Sequence, residues 1–142
     1  MNYLIDTQLL LWTLIDPSRI EKRAKKILTD KNSIKYASKI SFWEIALKYS
    51  IGKLKLEGTT PEGVLHASRQ SGFKILDSSE EDFATSRMLP FIENHKDPFD
   101  RLIVWQCIRN GVGLLSADAK LKGYEKHGLK LAMRAADTLY EH

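Results

Sequence analysis

Tyr3-Leu4-Ile5-Asp6-Thr7-Gln8-Leu9-Leu10-Leu11-Trp12-Thr13-Leu14-Ile15 joins a short apolar strand to a helix through a single acid. Tyr3 to Asp6 reads as the strand. Thr7 to Ile15 is apolar nearly all round, which predicts a buried helix, and Pro17 breaks it. A charge placed directly after buried apolar residues needs a reason beyond solubility. In open α/β sheets, sites form outside the carboxyl ends of the strands, which is where Asp6 would stand.

Outward from this stretch the same alternation continues. Ser18 with Glu21 reads as a capping box that opens a basic amphipathic helix to about Leu28. Ile34 to Ser38 reads as a second strand. Ser41 opens a helix that ends near Gly52, and Thr60-Pro61 opens another to about Ser71. Phe73 to Leu76 is a third strand, and Ser79 to Met88 is helical. Asp97-Pro98 starts a helix to Arg109. Gly111 to Ser116 gives a turn and a fourth strand, Ala119 to Lys126 a short helix, and Leu129 to Leu131 a fifth short strand. Strand and helix in alternation argue for an α/β domain with a central parallel sheet flanked by helices, a Rossmann-like three-layer arrangement. No repeat or linker divides the chain, so residues 1–142 are expected to form a single domain.

Composition narrows the class. The 142 residues are 43% hydrophobic and 28% charged, ordinary for a globular protein, which excludes disordered and fibrous readings. No apolar run approaches the ~20 residues of a membrane span. The lone Cys107 forms no intrachain disulfide, and no secretion signal precedes Asp6, so a cytoplasmic setting is expected. The net charge of +4 is only mildly basic, with lysines and arginines grouped at 19–26, 48–55 and 120–126. Trp12, Trp43 and Trp105 lie on apolar helical faces and are assigned to the core or a subunit interface.

The acids are the informative residues. Asp6 ends the first strand, and Asp118 follows the fourth. Asp97 and Asp100 open the helix before that strand, and Glu44 is expected in the first turn of the helix after the second. Each has a local explanation. Glu44 completes a capping box with Ser41 and stands four residues before Lys48, while Asp6, Asp97, Asp100 and Asp118 suit helix starts. Their coincidence at one sheet edge is what capping leaves unexplained. Gathered carboxylates repel, and a hard divalent cation such as Mg²⁺ removes that penalty. Cys107 and the histidines His66, His95, His127 and His142 show no zinc-ligand spacing.

Leu4-Ile5-Asp6-Thr7, Ser41-Phe42-Trp43-Glu44-Ile45-Ala46-Leu47-Lys48 with Gly52-Lys53-Leu54, His95-Lys96-Asp97-Pro98-Phe99-Asp100-Arg101 and Leu115-Ser116-Ala117-Asp118 together resemble PIN-domain proteins, and among them the VapC-type toxins of bacterial toxin–antitoxin systems. The resemblance implies a PIN-like fold and a ribonuclease that uses Mg²⁺ or Mn²⁺. It carries the catalytic and metal-binding roles to Asp6, Glu44, Asp100 and Asp118, with Asp97, Thr7 and Ser116 supporting them. Arg101 and Lys48 are candidates for holding the RNA backbone. A homodimer and a cognate antitoxin partner are implied as well. One departure stands out: Gln8 occupies a place where relatives often carry histidine.

Rival readings fare worse. A phosphoacceptor receiver domain needs an acid pair at the first strand, and Asp77 has no such company. A dehalogenase-type phosphatase needs Asp-x-Asp, and Gln8 fills the second acid's place. A catalytically silent PIN-fold protein that only binds a partner is the remaining alternative.

Overall fold

A computed structural model describes residues 1–132; Glu141 and His142, the last of the histidines above, lie outside the described residues. The sheet comprises β1 (Tyr3–Ile5), β2 (Lys35–Ser38), β3 (Lys74–Leu76) and β4 (Gly113–Leu115), all parallel, in the order β3-β2-β1-β4. The helices are α1 (Thr7–Ile15), α2 (Lys22–Thr29), α3 (Lys39–Ser50), α4 (Pro61–Gln70), α5 (Glu80–Thr85) and α6 (Pro98–Asn110), with 3₁₀ turns at Pro17–Arg19, Ser86–Met88 and Ala119–His127.

The two-residue period of β1 divides the core. Leu4 faces one layer, packing with Val104, Cys107, Leu114 and Tyr124. Ile5 faces the other, with Leu9, Leu10, Ala24, Ala37 and Leu115. Helices therefore cover both faces, as an all-parallel sheet requires. The chain runs outward from β1 through β2 to β3, then returns to place β4 on the other side of β1. Strand order reverses between β1 and β4, and the crevice at their carboxyl ends is where such folds bind ligands.

Several boundaries differ from the sequence expectations. Ser18 and Glu21 do not form a capping box. Pro17 nucleates a 3₁₀ turn in which the Ser18 hydroxyl donates to Asp16 at 2.6 Å, so the nearer acceptor takes it, and Glu21 caps α2 without a side-chain hydrogen bond. Nor does Ser41 open α3. β2 runs straight into the helix, because extended Ser38 accepts from the Ile40 amide at 3.0 Å. Ser41 is consequently buried inside the helix, and Glu44 is no capping-box partner. The fifth strand shrinks to a one-residue parallel bridge of Leu131 with Leu114, since Leu129 is held in the turn after Gly128 by its amide, which donates to the Tyr124 carbonyl. α1 is buried over Thr7 and Leu9–Leu11 but emerges at Ile15. Trp43 is 62% exposed, not core, with its ring edge against Phe99.

Central Leu4 is wholly buried in the larger core layer. Leu4→Ala is expected to lower unfolding free energy by roughly 2–5 kcal/mol. A urea titration checks this: the midpoint should fall at an unchanged slope.

Candidate metal centre

A cleft of about 390 Å³ opens at the carboxyl ends of β1 and β4, and Asp6, Glu44, Lys48, Asp97, Asp100 and Asp118 all line it. Each acid arrives by a different structural route. Asp6 is the N-cap of α1, its Oδ1 accepting from the Leu9 amide at 2.8 Å. Its Oδ2 accepts from the hydroxyl of buried Ser116, just beyond β4. The same hydroxyl oxygen accepts from the Asp118 amide at 3.0 Å. Ser116 thus ties the acid of β1 to the acid after β4.

Asp118 caps the final 3₁₀ turn through the Lys120 amide, and Asp97 caps α6 through the Asp100 amide at 3.0 Å. Asp100 lies in the first turn of α6. Glu44 projects from the second turn of α3, only 5% exposed; its Oε2 meets Lys48 Nζ at 2.5 Å, while the buried Oε1 has no hydrogen-bond partner among the described residues. The Thr7 and Ser41 hydroxyls bond at 2.8 Å in the interior, locking α3 to α1 and so Glu44 to the Asp6 side of the cleft.

Two groups bring ligand atoms within 4.8 Å of one another: Glu44 with Asp97 and Asp100, and His95 with Asp100 and Asp118. Asp100 belongs to both. Asp97 therefore stands closer to the centre than a mere helix cap. His95 was not expected, because the histidines lack ligand spacing along the chain. The available signal was its position five residues before Asp100, where the loop folds back and buries it. Arg101 points elsewhere: its guanidinium donates to the Leu89 and Pro90 carbonyls and the Tyr124 hydroxyl, and stacks over Phe91.

The electrostatics follow from this crowding. Burial pushes the Asp6 carboxyl up to about 6, against the Ser116 and Leu9 hydrogen bonds, with Asp118 and Glu44 adding to the rise. Asp100 is pushed up to about 7 by burial first and then by Asp97, Glu44, Asp6 and Asp118. Burial pulls the Lys48 ammonium down, but the hydrogen bond and charge of Glu44, with Asp97 and Asp100, outweigh it and leave it above its ordinary value. Burial holds the His95 imidazole below its ordinary value, against the opposing charges of Asp118 and Asp97.

Among the described residues one lysine faces five carboxylates in the cleft, one buried carboxylate oxygen is unpartnered, and all five acids are hard oxygen donors. The residues fit a divalent cation of the Mg²⁺ or Mn²⁺ type.

The family model for the PIN domain matches residues 3–126. Solved structures with the same fold include VapBC2 from Rickettsia felis bound to a promoter DNA fragment, with a TM-score of 0.63 and 21% identity over 92% of this chain and 97% of that one. DNA-bound VapBC from Salmonella typhimurium gives 0.59 and 14% over 92% and 96%, and VapBC-1 from nontypeable Haemophilus influenzae gives 0.59 and 15% over the same shares. No protein of curated function matches the sequence. Among the described residues no helix is long and apolar enough to cross a membrane.

Asp6 and Asp100 keep their protons to higher pH in the folded protein than at the ordinary value of 3.8. The folded state then binds more protons between about pH 4 and 7, so stability falls as pH rises through that window. Asp100→Asn is expected to raise the Tm of the metal-free protein at pH 8, by about 2–8 °C per kcal/mol of repulsion released, and to leave it nearly unchanged at pH 4. Calorimetry at the two pH values checks this; an equal effect at both contradicts it.

Proposed function

The chain belongs to the PIN domain family, and from that premise we propose that it is a metal-dependent endoribonuclease, the VapC-type toxin of a toxin–antitoxin pair. One observation carries the reading: Asp6, Glu44, Asp97, Asp100 and Asp118, from separate parts of the sequence, line one cleft at the strand-order reversal. The sequence resemblance and the VapBC neighbours support an antitoxin as partner. The proposal extends to a homodimer, to a single domain over residues 1–142 and to a cytoplasmic setting.

Asp6, Glu44, Asp100 and Asp118 would hold the cation, with Asp97 beside them. When bound, Mg²⁺ or Mn²⁺ supplies Lewis acidity toward water and the phosphoryl oxygens. Everything else falls to the chain's own groups. Ser116 aims the Asp6 carboxylate by donating to Oδ2 while Leu9 holds Oδ1. Thr7 and Ser41 fix the separation of α1 and α3. Lys48 offers a positive charge at the cleft wall and is positioned to meet a backbone phosphate while still paired with Glu44. Arg101 serves the site indirectly, since its terminal nitrogens donate to the Leu89 and Pro90 carbonyls and to the Tyr124 hydroxyl. The reaction is hydrolysis of an RNA phosphodiester, with water adding to phosphorus and the 3′ oxygen leaving, to give a 5′-phosphate and a 3′-hydroxyl.

Purified protein is expected to cleave RNA with added Mg²⁺ or Mn²⁺ and to stop in EDTA. Asp6→Asn should reduce cleavage by more than the roughly 100-fold that losing an outer-shell partner costs. Asparagine caps a helix as well as aspartate, so the fold should survive. Growth on expression separates the silent alternative: wild type should arrest cells, and Asp6→Asn should not. Cleavage that persists in the variant or without metal contradicts the assignment.

A further inference from the structure

His95 is 4% exposed, and its two ring nitrogens meet different surroundings. Nδ1 lies 2.6 Å from the Tyr124 hydroxyl. Nε2 has no hydrogen-bond partner among the described residues and lies 3.6 Å from Asp100 Oδ2. The Tyr124 hydroxyl also accepts from Arg101 Nη1 at 3.1 Å, and Arg101 is anchored by its second terminal nitrogen on the Leu89 carbonyl at 2.7 Å.

Proton accounting assigns the direction of this chain. Arginine only donates, so Tyr124 oxygen must accept from it. Tyr124 is wholly buried, and its own hydroxyl proton needs an acceptor. Among the described residues His95 Nδ1 is the acceptor within reach. If Nδ1 accepts, a neutral imidazole carries its proton on Nε2, and that N–H faces Asp100. The opposite tautomer would leave the Tyr124 proton buried without a partner. It would also turn the Nε2 lone pair toward a carboxylate.

We propose that His95 is a positioning residue: the Arg101–Tyr124–His95 chain fixes the Nε2–H tautomer, and that N–H orients the Asp100 carboxylate for the cation, His95 itself not being a ligand. This rests on the cation centre proposed above. No other side chain or amide orients the Asp100 carboxylate, which accepts no hydrogen bond among the described residues. At 3.6 Å the contact is longer than a hydrogen bond, so the donor role requires Nε2 and Oδ2 to draw closer when the cation is held. Arg101 thereby acquires a role without touching RNA.

Nitrogen-15 NMR of the metal-free protein reads the tautomer directly. The expected signals are a protonated Nε2 and an unprotonated Nδ1 for His95; a protonated Nδ1 with a bare Nε2 overturns the proposal and makes His95 a ligand candidate. Calorimetric titration with Mn²⁺ reads the consequence. His95→Leu is expected to weaken binding about 10- to 100-fold. His95→Gln, whose amide N–H can stand where Nε2–H stands, should stay within a few-fold of wild type. Wild-type affinity in His95→Leu, or a loss in His95→Gln as large as in His95→Leu, overturns the donor role. Absence of Mn²⁺ binding by wild type overturns this proposal and the cation centre together. Binding without RNA cleavage overturns only the ribonuclease reading.

Discussion

Mutual repulsion among five carboxylates in one cleft is the constraint around which the rest of the molecule is arranged. Left alone, such groups would separate or take up protons, and the raised values of Asp6 and Asp100 record part of that tendency. The fold holds them in place with backbone hydrogen bonds. Asp6, Asp97 and Asp118 each cap a helical element. Capping and site membership are therefore not competing roles. A carboxylate has two oxygens: one of Asp6 satisfies the Leu9 amide, and the other faces Ser116 and the cleft. The helix termini contribute favourable dipoles to the same acids, which offsets some of the repulsion.

The parallel sheet converts these local features into a site. Because β1 and β4 are neighbours with their carboxyl ends on the same side, Asp6, Ser116 and Asp118 meet although more than a hundred residues separate them in the chain. The interior hydroxyl pair Thr7–Ser41 then sets where Glu44 stands. Lys48 accounts for one Glu44 oxygen, and the other, with no hydrogen-bond partner among the described residues, is left to accept a ligand at the cleft.

Strand and helix order were legible in the sequence because apolar runs, Pro98 after Asp97, Pro61 after Thr60 and the glycine at 111 act locally. So were the acids, Asp6 and Asp118 through their places after strand ends and Glu44, Asp97 and Asp100 through the helices that begin at the same sheet edge. The Ser41 box failed because two serines competed, and Ser38 already had strand geometry and an amide within reach. Ser18 failed for a similar reason, with Asp16 nearer. His95 was opaque for a different one. Its relation to Asp118 and Tyr124 depends on how the loop before α6 packs against the last 3₁₀ turn, a contact between segments that no spacing rule encodes. Trp43 lies outside the core, because an apolar helical face does not say which of its residues the neighbouring elements cover; of the two expected places, core or subunit interface, its exposure excludes only the first.

A cation entering the cleft meets acids whose carboxyls are pushed up to about 6 at Asp6 and about 7 at Asp100. Isothermal titration of the metal-free protein with Mn²⁺ at pH 6.5, repeated in buffers of different ionisation enthalpy, tests this most directly. Saturable binding that releases protons is expected, since the cation must displace those held by Asp6 and Asp100. No saturable binding, or equal uptake by a protein carrying both Asp6→Asn and Asp100→Asn, would contradict it.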